Sequence, residues 1–373
     1  MEEEILKKID EISNQMISGI KQIVQIDSVQ SEAKPDMPFG EGVNLALEET
    51  LKLARKLGFE TENVDHMVGI AKYGKGNDYI GIMGHLDVVP VGDGWNHPPF
   101  SAYEDENGRI FSRGILDNKG PILSCLYALY AIKEVGIQLN RPVHILFGTN
   151  EETGFEDVKH FLKVKNPPIM GWTPDCKYPV VYAERGRCTY RISTKLQNQK
   201  VFNQFVNEYL LSDNGYGNKL GLNIEDKEFG KMQLNGKKLA TIEDGLGFDF
   251  SFSYPACITN KEIRNTLENK MDSCLTLECI KNYDPVYFDK DGFLCQTLKS
   301  TYEKITGMDG TPVTTTGGTY AKLMPNIVPF GPSLPGQKGI GHNPNEWMDR
   351  SDLILNAKIY ALSIVRLANG KND

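Results

Sequence analysis

The sequence predicts an α/β protein: a mixed sheet flanked by helices, with a smaller α+β domain inserted into it. Three observations lead there. Apolar strand-like runs that end in Gly and polar residues alternate with helix-period segments through Asp175. From about Arg185 the texture changes: residues 187–285 mix strand-like and helix-like stretches, rich in Asn, Lys and Gly, and contain no His. The first texture then resumes near Asp291. At 373 residues the chain is too long for one small core. The division read from it is 1–185 with 287–373 as one body, and 186–286 as the insert.

The elements follow in order. Ile5, Ile9, Ile12, Met16, Ile20 and Ile23 recur at helical spacing, so residues 3–25 read as an amphipathic helix. Val43, Leu45, Ala46, Leu51, Leu53 and Ala54 repeat the pattern over 41–57, and Gly58 supplies a stop. A short strand at 68–73 and a turn at 74–78 lead into Tyr79–Pro90, an apolar run that reads as a buried strand of a largely parallel sheet. It delivers His85 and Asp87 two residues apart, on one side of the chain. Gly92, Gly94, Pro98 and Pro99 mark a loop beyond its carboxyl end, the side where open α/β sheets bind ligands. Pro121 suits the first turn of a helix over 121–135. Another strand, 142–149, runs into Asn150-Glu151-Glu152-Thr153-Gly154. In the insert, Phe248, Phe250, Phe252 and Tyr254 alternate with Asp249, Ser251 and Ser253, the pattern of a strand. After it come a helix over 260–271, a strand at 274–279, a helix at 292–306, the glycine loop Thr316-Gly317-Gly318-Thr319, a strand at 326–330, Gly341-His342-Asn343, and a closing helix at 350–368.

Composition narrows the function. A formal net charge of −8 argues against nucleic acid or an anionic membrane surface as partner. No apolar run reaches the roughly 18 residues of a membrane span. Seven scattered cysteines without a CxxC pair, behind an acidic N-terminus unlike a signal peptide, read as reduced thiols in the cytoplasm.

The chemistry lies in the polar residues at strand ends of the first body: His85, Asp87, Asp117, Glu151, Glu152, Asp175 and His342. Two imidazoles with several carboxylates suit zinc, with Co2+ or Mn2+ possible, and one carboxylate can bridge two ions. Asp87 is close enough to His85 to accept its second N–H and fix the tautomer. Adjacent Glu151 and Glu152 cannot easily both bind one ion; one can ligate while the other serves as general base to a metal-activated water. Gly317 and Gly318 suit close backbone approach to a substrate or metal site.

The stretches GHLDVVPVGDGW, RGILDNKGP and GTNEETG, together with the late histidine, resemble the co-catalytic zinc metallopeptidase family of acetylornithine deacetylase, succinyl-diaminopimelate desuccinylase and aminoacylase. WTPDCKYPVVYAERG and TGGTYAKLMPN are closest to its PepV dipeptidase branch. The resemblance covers residues 40–185 and 285–345. It implies a zinc-peptidase-like catalytic domain with a lid, two Zn2+ ions and a small peptide or N-acyl amino acid substrate. It implies His85 and Asp175 on one zinc, Glu152 and His342 on the other, and Asp117 bridging, with a cis peptide at Asp117–Asn118. Asp87 would orient His85, and Glu151 would be general base and acid.

The chain departs from the pattern in the lid. Such families use a lid histidine for the oxyanion and a lid arginine for the substrate carboxylate; here the insert has no His, and Ser253 stands where an Arg precedes Tyr-Pro. Asn214, Tyr216 or Asn218 could stand in for the oxyanion donor, and Arg185 or Arg187 for the anchor. The lid is also short. The expected function is a di-zinc dipeptidase using a metal-bridging hydroxide and Glu151. The alternatives are an N-acyl amino acid deacylase and a non-catalytic metal-binding relative. Oligomeric state is open.

Overall fold

A computed structural model describes residues 1–370; residues 371–373, the tail of the segment assigned to the first body, lie outside the described residues. The chain divides into two compact units. One comprises Met1–Val181, Asp289–Val313 and the stretch from Thr319 onward; the other comprises Tyr182–Phe288 and Thr314–Gly318.

The principal helices, in chain order, are α1 (Glu2–Val24), α2 (Glu41–Lys56), α3 (Lys119–Val135), α4 (Glu156–Val164), α5 (Gln199–Phe205), α6 (Asn260–Glu268), α7 (Phe293–Thr306) and α8 (Arg350–Asn369). The principal strands are β1 (Glu60–Val64), β2 (Val68–Tyr73), β3 (Ile80–His85), β4 (Val143–Gly148), β5 (Met170–Thr173), β6 (Gly186–Lys195), β7 (Gln233–Ala240), β8 (Gly245–Tyr254), β9 (Thr276–Tyr283) and β10 (Ile327–Pro329).

In the first unit six strands lie in the order β1-β2-β4-β3-β5-β10. The first three pair antiparallel; β4, β3, β5 and β10 run parallel. The sheet is therefore mixed, and its parallel half carries the carboxyl-terminal loops on one side. β3 is buried along its whole length, which explains its unbroken apolar run. α1 buries Ile5, Ile9, Met16, Ile20 and Ile23, the stripe its spacing foretold. α3 is apolar on nearly every side because it is enclosed: it packs against α1, α8 and β3. Glycine is needed at Gly84, where a Cβ would stand 2.2 Å from Asn118 Oδ1. That space lets the Asn118 side chain accept from the His85 amide at 3.2 Å and donate to the Pro174 carbonyl at 2.5 Å.

The second unit is a four-stranded antiparallel sheet, order β7-β8-β6-β9, with α5 and α6 over its apolar face. Tyr190, Ile192, Phe250, Phe252, Leu210 and Leu267 form its core. The opposite face of β8 and β6 is polar, with Arg191 bound bidentately to Asp249 at 2.7 and 2.9 Å. α6 starts on a capping box between Thr259 and Glu262. Among the described residues no helix is long and apolar enough to cross a membrane.

Candidate metal centre

Three parallel strands bring together three loops that carry candidate ligands. His85 ends β3 and pairs in register with Gly148 of β4, three residues before Glu151. Asp175 follows β5 by two residues. Asp117 precedes α3, and the Asp117–Asn118 peptide is cis. His342 comes from the loop before α8, with φ 61°.

Two donor groups result, and they share Asp117. His85, Asp117 and Asp175 form one; Asp117, Glu152 and His342 form the other, with ligand atoms within 4.8 Å of one another in each. Asp117 Oδ1 lies 3.0 Å from His85 Nε2, while its Oδ2 lies 2.9 Å from His342 Nε2. Glu152 Oε1 is 2.9 Å from that same His342 nitrogen, and Asp175 Oδ2 is 3.7 Å from His85 Nε2. Glu151 belongs to neither group.

The electrostatics fit divalent cations. Four carboxylates converge where only two imidazoles can balance them. Burial, then the charges of Asp175 and other neighbours, pushes the Glu151 carboxyl well above its usual range. Burial and the neighbouring carboxylates, Asp117 first, do the same to Asp175. Hydrogen bonds to Asp117 and Glu152 push His342 up to about 11. One Nε2 hydrogen shared between two carboxylate oxygens at 2.9 Å balances them less well than a divalent cation among them would. Oxygen and imidazole donors of this kind suit zinc, manganese or cobalt.

Asp87 does more than orient His85, the role the sequence reading gave it. His85 Nδ1 faces the backbone carbonyl of Asp87 at 2.8 Å, with the carboxylate at 3.3 Å. The carboxylate also accepts the amides of Glu151 and Glu152, at 3.2 and 3.1 Å. Main-chain carbonyl and carboxylate of Asp87 thus both face the imidazole nitrogen, while the carboxylate also grips two adjacent amides. The side chain of Asp87 sets the Glu151–Glu152 turn.

The substrate residues named from sequence lie in the second unit. Gly317 and Gly318 are exposed. Arg185 is buried, and its guanidinium donates to the Lys231 carbonyl at 2.7 Å and to that of Phe229. Asn214 and Asn218 bond each other at 2.8 Å, and Asp213 gathers the loop around them. The remaining histidines have their own places. His144 stacks on Tyr79, His97 on Tyr103, His160 faces Asp65, and His66 faces Asn44.

Residues 81–366 match the profile of peptidase family M20/M25/M40. The chain belongs to this family. As an M20 protein it is a hydrolase of the metallopeptidase class. It is 29% identical to YtjP of Bacillus subtilis (strain 168), which bears a provisional dipeptidase name, over 98% of this chain and 99% of that one. The alignment runs over 468 positions against 373 residues here, so a substantial part of YtjP has no counterpart. Its fold is similar to human carnosine dipeptidase 1 (TM-score 0.75, 15% identity, 98% of each chain). It is also similar to the dipeptidase Dug1p of Saccharomyces cerevisiae (TM-score 0.74, 15% identity, 99% and 98% covered).

Sequence reasoning missed the M20 chain's supporting carboxylates. Asp157 is wholly buried and accepts the amides of Thr149 and Asn150 at 2.7 and 3.0 Å, together with the Tyr320 hydroxyl. Tyr320 in turn stands edge-on to His85. Glu346 accepts the amides of Gly114, Leu116 and Asp117 at 3.0, 3.0 and 3.1 Å. Arg113, within the RGILDNKGP stretch, and the Glu four positions after His342 were the available signals.

Proposed function

We propose that this chain is a dipeptidase that works with two zinc ions. The observation that carries the reading is the pair of donor groups sharing Asp117, with Glu151 outside both. Asp117 would hold both ions, His85 and Asp175 the first, Glu152 and His342 the second. Bound there, two divalent cations supply Lewis acidity toward the scissile carbonyl and acidify water toward neutral pH.

This chain's own residues do the rest. Glu151 takes the proton of the attacking water and delivers it to the leaving amine. Asp87, by gripping the Glu151 and Glu152 amides, holds base and ligand in fixed relation. Gly317 and Gly318 offer exposed backbone for a substrate to lie against. Arg185 braces the second unit through two carbonyls, so we assign it no substrate contact. The dipeptidase names borne by YtjP, Dug1p and the carnosine enzyme favour dipeptides over N-acyl amino acids. The seven free cysteines accord with work in the reducing cytoplasm.

The test is a panel of dipeptides and N-acyl amino acids, offered to metal-free protein reloaded with zinc, cobalt or manganese. Dipeptide turnover that returns with metal is expected. Turnover confined to N-acyl substrates would move the reading to the deacylase branch. No turnover on either class would overturn it.

A further inference from the structure

We infer that Glu346, held by Arg113, is a positioning residue: it ties the Asp117 loop to the His342 loop and so sets the spacing of the second ion's ligands. The inference rests on the two-metal reading above. Glu346 is fully buried, and its two oxygens divide the task. Oε1 collects the three amides at 114, 116 and 117, including that of Asp117 itself. Oε2 receives Arg113 Nη1 at 2.6 Å.

Arg113, 1% exposed, extends the tie. Its Nη1 also donates to the Asn343 carbonyl at 3.3 Å, the residue next to His342. Its Nη2 donates to the Val91 carbonyl at 3.2 Å, in the loop after Asp87. The Ser112 amide donates to the Glu346 carbonyl at 3.1 Å, closing the arrangement through main chain. Three ligand-bearing loops thus meet on one buried ion pair.

The need for it is visible in His342. That side chain is about half exposed, and glycines at 339 and 341 flank it. Such a ligand has little packing of its own to fix it. A buried ion pair contributes little net stability over an apolar pair, because both charges lose their water. A gain in geometry is the better account of why this one is present. Groups that orient metal ligands in this way commonly alter metal affinity 10–100-fold when removed.

The experiment titrates the metal-free full chain with Co2+ followed by its visible absorption, and with Zn2+ by calorimetry, without substrate. The wild type should take up two ions. Glu346→Gln should bind the second ion about 10–100-fold more weakly and the first, which shares Asp117, less weakly than that, with an altered cobalt spectrum and unchanged far-UV circular dichroism. Arg113→Lys, which keeps the charge but cannot span the same carbonyls, should move the same way; it decides the matter if Glu346→Gln does not fold. A folded variant that binds both ions with wild-type affinity overturns the inference. Equal weakening of both ions also overturns it, since that marks a general structural role. A wild type that takes up fewer than two ions overturns the two-metal reading, and the positioning role with it.

Discussion

Asp213 in the second unit and Glu346 in the first are both buried carboxylates that gather backbone amides, and they do so at opposite ranges. Asp213 accepts from Gly215, Tyr216, Gly217 and Lys219, all within six residues of itself. Glu346 accepts from residues 229 to 232 positions away. Asp213 closes its own loop. Glu346 closes a loop that carries a candidate metal ligand, as Asp87 and Asp157 do for the turn bearing Glu151 and Glu152. The difference teaches that one bond type serves two ends. In the second unit it finishes a local turn; at the strand ends of the first it holds together groups that would otherwise repel.

Four substitutions can break or sharpen this contrast. The largest effect is expected from Glu151→Gln, which removes the proposed base but leaves both donor groups. It should lower kcat by about 10²–10⁴ while metal content, read by atomic absorption, stays at the wild-type level. Loss of metal along with activity would place Glu151 among the ligands instead. Next is Phe250→Ala, in the core of the second unit. It should cost about 3–5 kcal/mol in that unit's unfolding while zinc uptake by the first is unaltered. Urea melts read alongside metal titration would expose any coupling.

Asp213→Ala should come third. It frees four amides at a cost of about 1–3 kcal/mol, and hydrogen exchange should quicken at 215–219 while the amides of 114–117 keep their protection. The smallest effect belongs to His144. Burial, then the charge of Lys72, depresses its pKa to about 4. Unfolded, it titrates near 6.5, so between pH 6.5 and 4 the unfolded chain binds the extra proton. Stability from this group is therefore complete above pH 6.5 and is lost as pH falls toward 4. His144→Phe keeps the stack on Tyr79 and should lose about 1–2 kcal/mol less than the wild type across that interval, measured by thermal melts.

Much of the first unit was legible because its signals are local. Period-3.6 spacing revealed α1 and α2, and the apolar run of β3 announced a strand buried on both faces. Residues ending such strands stand on the ligand side of a parallel sheet, so His85, Glu151 and Glu152 could be picked out without coordinates. The role of the Asp87 side chain could not be read this way. Proximity to His85 suggested the imidazole as its partner; the fold adds two amides from a turn 64 and 65 residues on. The partners of Arg185, read from sequence as a stand-in for the carboxylate anchor, were hidden for a similar reason: the two carbonyls it meets lie 44 and 46 residues on.

The sequence by itself determined the α/β class, the element order, the membership of a metallopeptidase family and the list of polar residues that could hold metal. These follow from periodicity, turn chemistry and short motifs, which act over a few residues. Only the tertiary structure decided that Asp117 faces both histidines, that Asp87, Asp157 and Glu346 gather backbone amides, and that Arg113 joins three loops. The physical reason is range. A hydrogen bond or ion pair is made over about 3 Å, and which groups come that close across hundreds of residues is set by strand order and packing.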